Sequence, residues 1–439
     1  MPEQRNLNSL LASLVAAFKV PDLRKRLFFV LQMFAVYMIA LHIPLPGIDR
    51  AKMDALFRSG GLMSLLDTFS GGALRKYTIL AMSITPYINA SIIMQLLTVA
   101  IPQLEELQKE GEPGRKQISR YTRWLTVILA LFQAVAMNLM FKRMGFLDVN
   151  ALQFAQIVIT LTAGTMFLMW MGERITDKGI GNGVSLVIFV GIMVQLPYDL
   201  GRTIQVVGTQ GNYTGAVALM VIFLATVAAI VAITQGQRKI PIQHAKRVVG
   251  NRMYGGGSSF LPLKVNQAGV IPIIFAVSVV YLPAQIAQFA PVGEGWLRTF
   301  FDKLIPWFSP GAPGLPGFFA TSLYALLVLF FTYFYTAVTF DVPKVSDDLR
   351  KYGSFIPGIR PGRPTADYLD KVMTRITLAG AVFLAVIALM QYYVPAWTGV
   401  TTFSLVGGTS LLIVVGVALD TMQNIEAHLI MRHYEGFIK

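Results

Sequence analysis

Ten long apolar stretches joined by polar connections decide what this chain can become. They run from Leu27 to Leu45, Tyr77 to Ile101, Trp124 to Phe141, Phe154 to Met171, Val184 to Leu196, Gly215 to Thr234, Ala268 to Phe289, Ser322 to Phe340, Ile376 to Val394 and Phe403 to Leu419. A helix of roughly 20 apolar residues matches the hydrocarbon thickness of a bilayer. Composition agrees: 54% of the 439 residues are hydrophobic and 14% are charged, where a soluble domain averages about 25% charged. Two or three soluble cores could not hide so much apolar surface. The chain has no cysteine, which excludes disulfides, cysteine-held metal centres and thiol nucleophiles. It reads as an all-α polytopic membrane protein.

Its beginning does not read as a removable signal. The apolar run Leu10 to Phe18 is followed by Lys19, Pro21, Asp22, Arg24, Lys25 and Arg26, where a small-residue cleavage site would belong. Residues 1–26 are expected to form an amphipathic segment on the cytoplasmic face. With both termini placed in the cytoplasm, 27 of the 37 Lys and Arg residues fall on inner segments. That asymmetry is what the positive-inside rule requires, and it accounts for most of the net charge of +14.

Two inner loops exceed what orientation needs. The loop at 236–264 holds Arg238, Lys239, Lys246, Arg247 and Arg252 with a flexible Gly255-Gly256-Gly257 stretch. The loop at 341–371 holds Arg350, Lys351, Arg360 and Arg363 around the turn Ile356-Pro357-Gly358-Ile359-Arg360-Pro361-Gly362. Such loops suit a docking platform for RNA, an acidic protein or anionic phospholipid head groups. No aromatic-interleaved RNA-binding module accompanies them, so sequence-specific RNA reading is not expected.

Ten spans also divide into five and five, at 27–201 and 202–423, with a cytoplasmic tail at 424–439. An odd number per half makes the second half enter from the opposite side, which permits an inverted-repeat architecture. The spans contain almost no ionisable group: His42 and Asp420 lie at their margins. Ion-coupled transporters usually carry charge at depth. No His-Glu-x-x-His or Walker motif occurs, and Gly179-Ile180-Gly181-Asn182-Gly183 follows a span where a dinucleotide site would follow a strand. No cofactor, metal or catalytic residue is expected. A conduit or a scaffold remains. One glycine-bracketed segment, 60–72, is apolar yet too short to cross; it contains Leu62, Met63, Leu65, Leu66, Asp67 and Phe69. It suits either an outer-surface helix or a re-entrant helix buried in protein.

Several strings, in order, carry a resemblance covering Lys25 to Gly436. They are Ile43-Pro44-Leu45-Pro46-Gly47-Ile48-Asp49, Phe69-Ser70-Gly71-Gly72-Ala73, Lys109-Glu110-Gly111-Glu112-Pro113-Gly114-Arg115 and the Gly179 to Gly183 string. Further on come Asn266-Gln267-Ala268-Gly269-Val270-Ile271-Pro272, the Pro357 to Gly362 turn, and Gly408-Thr409-Ser410-Leu411-Leu412-Ile413-Val414-Val415. With these the chain resembles the SecY family of protein-conducting channel subunits. The resemblance implies two pseudo-symmetric inverted five-helix halves around an hourglass pore that opens outward and sideways into lipid. It implies a pore ring of Ile84, Ile88, Val184, Ile188, Ile274 and Ile413, and a plug over the 60–72 segment. Asn89, Gln133 and Asn266 match polar positions of a lateral gate, where amides meeting across a seam would hold it shut. The basic loops would dock the SecA motor or the ribosome, through Arg360 first, with Arg247, Arg252 and Arg350 beside it. SecE and SecG are the implied membrane partners, and signal-bearing polypeptides the substrates.

Three departures from the family pattern stand out: Met38 where arginine is common, Ser83-Ile84-Thr85 where Gly-Ile-Met is common, and a short tail after Tyr434. Two other readings stay open here. One is an inverted-repeat secondary transporter of a small solute, and the other an insertase scaffold without a true pore.

Overall fold

The computed structural model describes residues 18–48, 52–53, 67, 70–244, 247–249, 252–254, 258–287, 296–400 and 408–435. Its helices are α1 (Pro21–Leu41), the short α2 (Ala73–Lys76), α3 (Thr85–Ala100), α4 (Pro102–Lys109), α5 (Glu112–Arg143), α6 (Ala151–Lys178) and α7 (Gly183–Gln210). They continue as α8 (Tyr213–Gln235), α9 (Ile271–Ala287), α10 (Trp296–Leu304), α11 (Leu315–Thr339), α12 (Val342–Lys351), α13 (Arg363–Thr398) and α14 (Thr409–Glu435). All but α2, α4, α10 and α12 overlap the expected spans. Among the described residues, seven helices are each long and apolar enough to cross a bilayer, and the α3–α4 pair, bent by 99°, makes an eighth. The two remaining overlaps fall short for visible reasons. α1 opens on the charged Asp22, Arg24, Lys25 and Arg26, and α9 has 17 residues.

One boundary differs from expectation. The second span was expected to be helical from Tyr77, yet Tyr77 to Ile84 is a run of turns and α3 starts at Thr85. Pro86 sits in the first turn of α3, the one helical position where its missing N–H leaves no gap. Tyr77 and Ser83 adopt left-handed backbone, with φ of 48° and 54°, a conformation uncommon outside glycine and asparagine. Fully buried Tyr77 is held there by its hydroxyl, which donates to Asn138 Oδ1 at 2.5 Å. α6 crosses this turn so closely that a Cβ on Gly164 would lie 2.0 Å from the Ile79 carbonyl oxygen. The fifth span, short in the sequence, continues through Pro197 as one 28-residue helix, α7, with Asn182 capping its start.

The helices fall into two groups. In the first, α3 packs on α5, α5 on α6, α6 on α7, and α1 against α6. In the second, α9 packs on α11, α11 on α13, and α8 on α13 and α14. Besides the consecutive pair α7 and α8, the groups meet where α7 lies along α14 and where α3 touches α9. One apolar cluster runs through both, including Ile84, Ile188, Ile273, Leu411 and Ile413. α8 is the most apolar span, yet only 17% of its apolar window is buried by protein. A helix apolar on all sides but hardly covered faces lipid.

The two basic loops are not loose, and they add strands to an otherwise helical protein. β1 (Gln237–His244) and β4 (Ser258–Lys264) form an antiparallel ladder from Gln237↔Lys264 to Gln243↔Ser258. β2 (Arg247–Val249) and β3 (Arg252–Tyr254) pair as a small hairpin between them. β5 (Ser354–Phe355), from the other loop, pairs with the far edge of β1. Beneath the sheet lies a separate core of Ile240, Leu263, Ile356, Leu369, Val372 and Met373. The two loops, far apart in sequence, therefore form one body.

Candidate functional site

The proline that starts α3 also fixes the first part of the site. Ile84 is the N-cap residue of α3 and Ile88 lies one turn further on. Ile188 belongs to α7, Ile274 to α9 and Ile413 to α14. These five side chains line one cavity of about 50 Å³, two of its helices coming from each group. A water molecule needs roughly 10–15 Å³ of such space, so this neck has room for only a few. Its walls offer them little: aliphatic side chains form no hydrogen bonds, and such cavities tend to stay dry. Val184 does not line the cavity. It sits one turn before Ile188, where a Cβ on Gly172 of α6 would lie 3.2 Å from Val184 Cγ2.

Ser83 and Thr85, which depart from the family pattern, also line the wall, together with residues not singled out in the sequence: Ile273, Val277, Ser278, Tyr281 and Thr409. Ile273, Val277 and Tyr281 recur at four-residue spacing beside Ile274 and Ser278, a stripe down α9 that helical periodicity could have found. Ser83, Thr85, Ser278, Tyr281 and Thr409 bring hydroxyls to this otherwise aliphatic wall.

A second cavity, of about 280 Å³, lies along the same helices, its wall partly polar and partly apolar. Asn182, Ser185, Lys264, Asn266, Asp420 and Gln423 contribute to its wall, with Val270, Ile271 and Leu412 at the level nearest the neck. Asp420 lies seven steps along α14 from Ile413, about 10 Å at the rise of a helix. The wider vestibule therefore stands above the apolar neck on the side of Lys264, where the sheet begins. Wide above and narrow at the waist, this is one half of an hourglass.

Of the expected plug residues, Leu62, Met63, Leu65, Leu66 and Phe69 lie outside the described residues. Asp67 is buried, and its Oδ1 accepts the Arg75 backbone N–H at 2.8 Å. The Asp67 carbonyl oxygen accepts the Ser70 hydroxyl at 2.9 Å and the Gly72 N–H at 3.0 Å. Burial pushes the Asp67 carboxyl up from the ordinary carboxylate range, against the pull of the Arg75 N–H and charge. From α1, the Tyr37 hydroxyl donates to the Ser70 carbonyl oxygen at 3.3 Å. The C-terminal end of the segment is thus tied down.

The three amides expected at a gate are not hydrogen-bonded to one another among the described residues. Asn266 turns onto its own loop, donating from Nδ2 to the Gly269 carbonyl oxygen at 3.1 Å. Asn89 Oδ1 and Asn266 Oδ1 are buried without a partner. Gln133 is half-buried on α5. What does meet is α3 and α9, the helices on either side of the neck.

The basic residues divide between two parts of the strand-bearing body. Arg350 lies in the last turn of α12 and Arg360 sits on the turn after β5, both exposed. Arg247 pairs with Tyr254 and Arg252 with Val249 in the β2–β3 hairpin. The Arg360 turn is braced from both sides: Ile359 N–H donates to the Ile356 carbonyl oxygen at 3.0 Å, and the Thr365 hydroxyl to that of Arg360 at 2.8 Å.

A helical membrane protein whose two groups of spans enclose an apolar neck beneath a wider vestibule has the build of a membrane channel. A family model described as SecY matches residues 78–422. The protein translocase subunit SecY of Thermotoga maritima is 45% identical over 435 residues, covering 96% of each chain. That of Streptomyces scabiei is 43% identical, over 98% of this chain and 100% of the relative. Among solved structures, one described as a protein conducting channel superimposes with a TM-score of 0.63 at 16% identity, covering 94% of this chain and 96% of the other. Sec61 in the canine ribosome-channel complex gives 0.59 at 16% identity, with the same coverage. The chain belongs to the SecY family.

Proposed function

We propose that this chain is the pore-forming subunit of a bacterial inner-membrane translocase, with both termini in the cytoplasm. It passes unfolded secretory polypeptides outward and releases hydrophobic segments sideways into lipid. The observation that carries this reading is the convergence of Ile84, Ile88, Ile188, Ile274 and Ile413, from four helices in two groups, on one narrow cavity. Aliphatic tips exclude ions by excluding water, yet yield to any side chain because they form no specific bonds. A secondary transporter would need charged ligands at that depth, and the described residues that line the neck carry aliphatic groups and a few hydroxyls but no charge. The family is one of translocation channels, not of enzymes.

The segment around Asp67 is the plug in this reading, supported by its ties to α1 and α2 near the neck. The lateral exit lies between α3 and α9, supported by their light contact and by the unpartnered amide oxygens of Asn89 and Asn266. Unpaired amides cost free energy when buried, so a signal sequence that parts this seam relieves them. The strand-bearing body docks SecA or the ribosome through Arg360, Arg350, Arg247 and Arg252. SecE and SecG are its membrane partners, and anionic phospholipids meet the remaining basic residues.

Photo-crosslinking tests the path. A translocating chain arrested midway is expected to crosslink to probes at Ile84, Ile188, Ile274 and Ile413, and not at lipid-facing Val217 of α8. Crosslinks equal at all five positions contradict the reading.

A further inference from the structure

The sheet that unites the two basic loops is held at one edge by very little backbone. β5 is two residues long and, among the described residues, pairs with β1 only at Gln243↔Phe355 and His244↔Ser354. A strand this short is marginal by itself. One side chain supplements it. His244 Nδ1 shares a hydrogen bond with the Ser354 hydroxyl at 2.7 Å, and Nε2 shares one with the Ser259 hydroxyl at 2.9 Å. Ser354 stands opposite His244 on β5. Ser259 stands opposite Ile242 on β4, the diagonal neighbour of His244 on the same face.

We propose that His244 is a positioning residue: its imidazole pins β5 to β1 and β4 and so fixes where Arg360 projects relative to the Arg247–Arg252 hairpin. This rests on the docking role proposed above for those arginines. The imidazole suits the task because its two nitrogens point in different directions from a rigid ring. A neutral ring donates from one nitrogen and accepts at the other, a charged ring donates from both, and serine hydroxyls complement either state. The pin therefore needs no particular protonation. Ser354 is 4% exposed, and a buried hydroxyl that loses its partner is penalised. Ile356 follows immediately and is buried in the core under the sheet, so a displaced β5 carries the Arg360 turn with it.

The test uses the full chain in lipid nanodiscs and has two readouts. Amide hydrogen exchange over residues 354–360 reports the pin without any docking partner. Binding of SecA reports its consequence. His244→Phe keeps a ring and removes both bonds. It is expected to speed exchange over 354–360, leave exchange in the neck helices unchanged, and weaken SecA binding at least about fivefold. In a cycle with Ser354→Ala the losses are expected to be non-additive, because both changes remove one contact. Unchanged exchange in His244→Phe overturns the pin. Faster exchange with unaltered binding overturns its positioning role, and if Arg360→Glu also binds SecA normally, the fault lies with the docking reading itself.

Discussion

Tyr77 shows what a single residue contributes to the neck. Its left-handed backbone lets the chain reach Ile84 as turns, and its hydroxyl is anchored on Asn138. Asn138 itself donates from Nδ2 to the Ala134 carbonyl oxygen at 2.8 Å. Tyr77→Phe leaves a buried amide oxygen short of its donor, a loss of about 1–3 kcal/mol. Thermal unfolding of the purified protein is expected to show a lower midpoint, with the neck still tight to ions. Asp67 behaves differently. Asp67→Asn keeps an acceptor for the Arg75 N–H and removes a charge that burial disfavours, so its midpoint is expected to equal or exceed that of the parent. Asp67→Ala loses the acceptor and is expected to fall below both. Individual residues were only partly readable in advance. The pairs Ile84/Ile88 and Val184/Ile188 share the i,i+4 spacing of one helix face, yet three of these four side chains reach the cavity. Val184 misses because α7 starts back to back with α6, where a Cβ on Gly183 would lie 1.9 Å from the Gly172 carbonyl oxygen. No periodicity reports such a close approach.

That helix contact gives the element-scale prediction. Gly183→Leu forces α6 and α7 apart at the start of α7, and its midpoint is expected to drop by several degrees or the protein to be lost from the membrane. Gly201→Ala, on the same helix but with open space where its Cβ would go, is expected to be neutral or stabilising, since alanine favours helix by about 1 kcal/mol over glycine. Elements differed in how far the sequence announced them. Apolar length marked the spans because a bilayer demands it. Boundaries at Pro86 and Pro197 followed opposite rules, one starting a helix and the other tolerated inside it. The sheet went unread because its strands come from two loops and no local pattern names a distant partner. A local hint existed: Ile240 and Ile242 alternate with exposed residues along β1, the period of a strand. For the turn after β5, Arg360→Glu is expected to abolish SecA-driven export while the chain still inserts and purifies normally; export at the parental rate contradicts its docking role.

At the scale of the whole molecule, a five-and-five division was available from counting spans, although α7 runs past the expected boundary at residue 201. What counting could not supply is the path through the middle. That depends on which side chains of α3, α7, α9 and α14 converge, a matter of helix rotation that hydropathy does not encode. The central claim is that the protein is sealed by a dry aliphatic neck. Ion conductance across planar bilayers holding the full chain tests it most directly, with Ile84, Ile88, Ile188 and Ile413 replaced together by asparagine. The parent is expected to be silent at rest and the variant to conduct steadily, because amides hold water where isoleucines expel it. A variant as tight to ions as its parent would contradict the account.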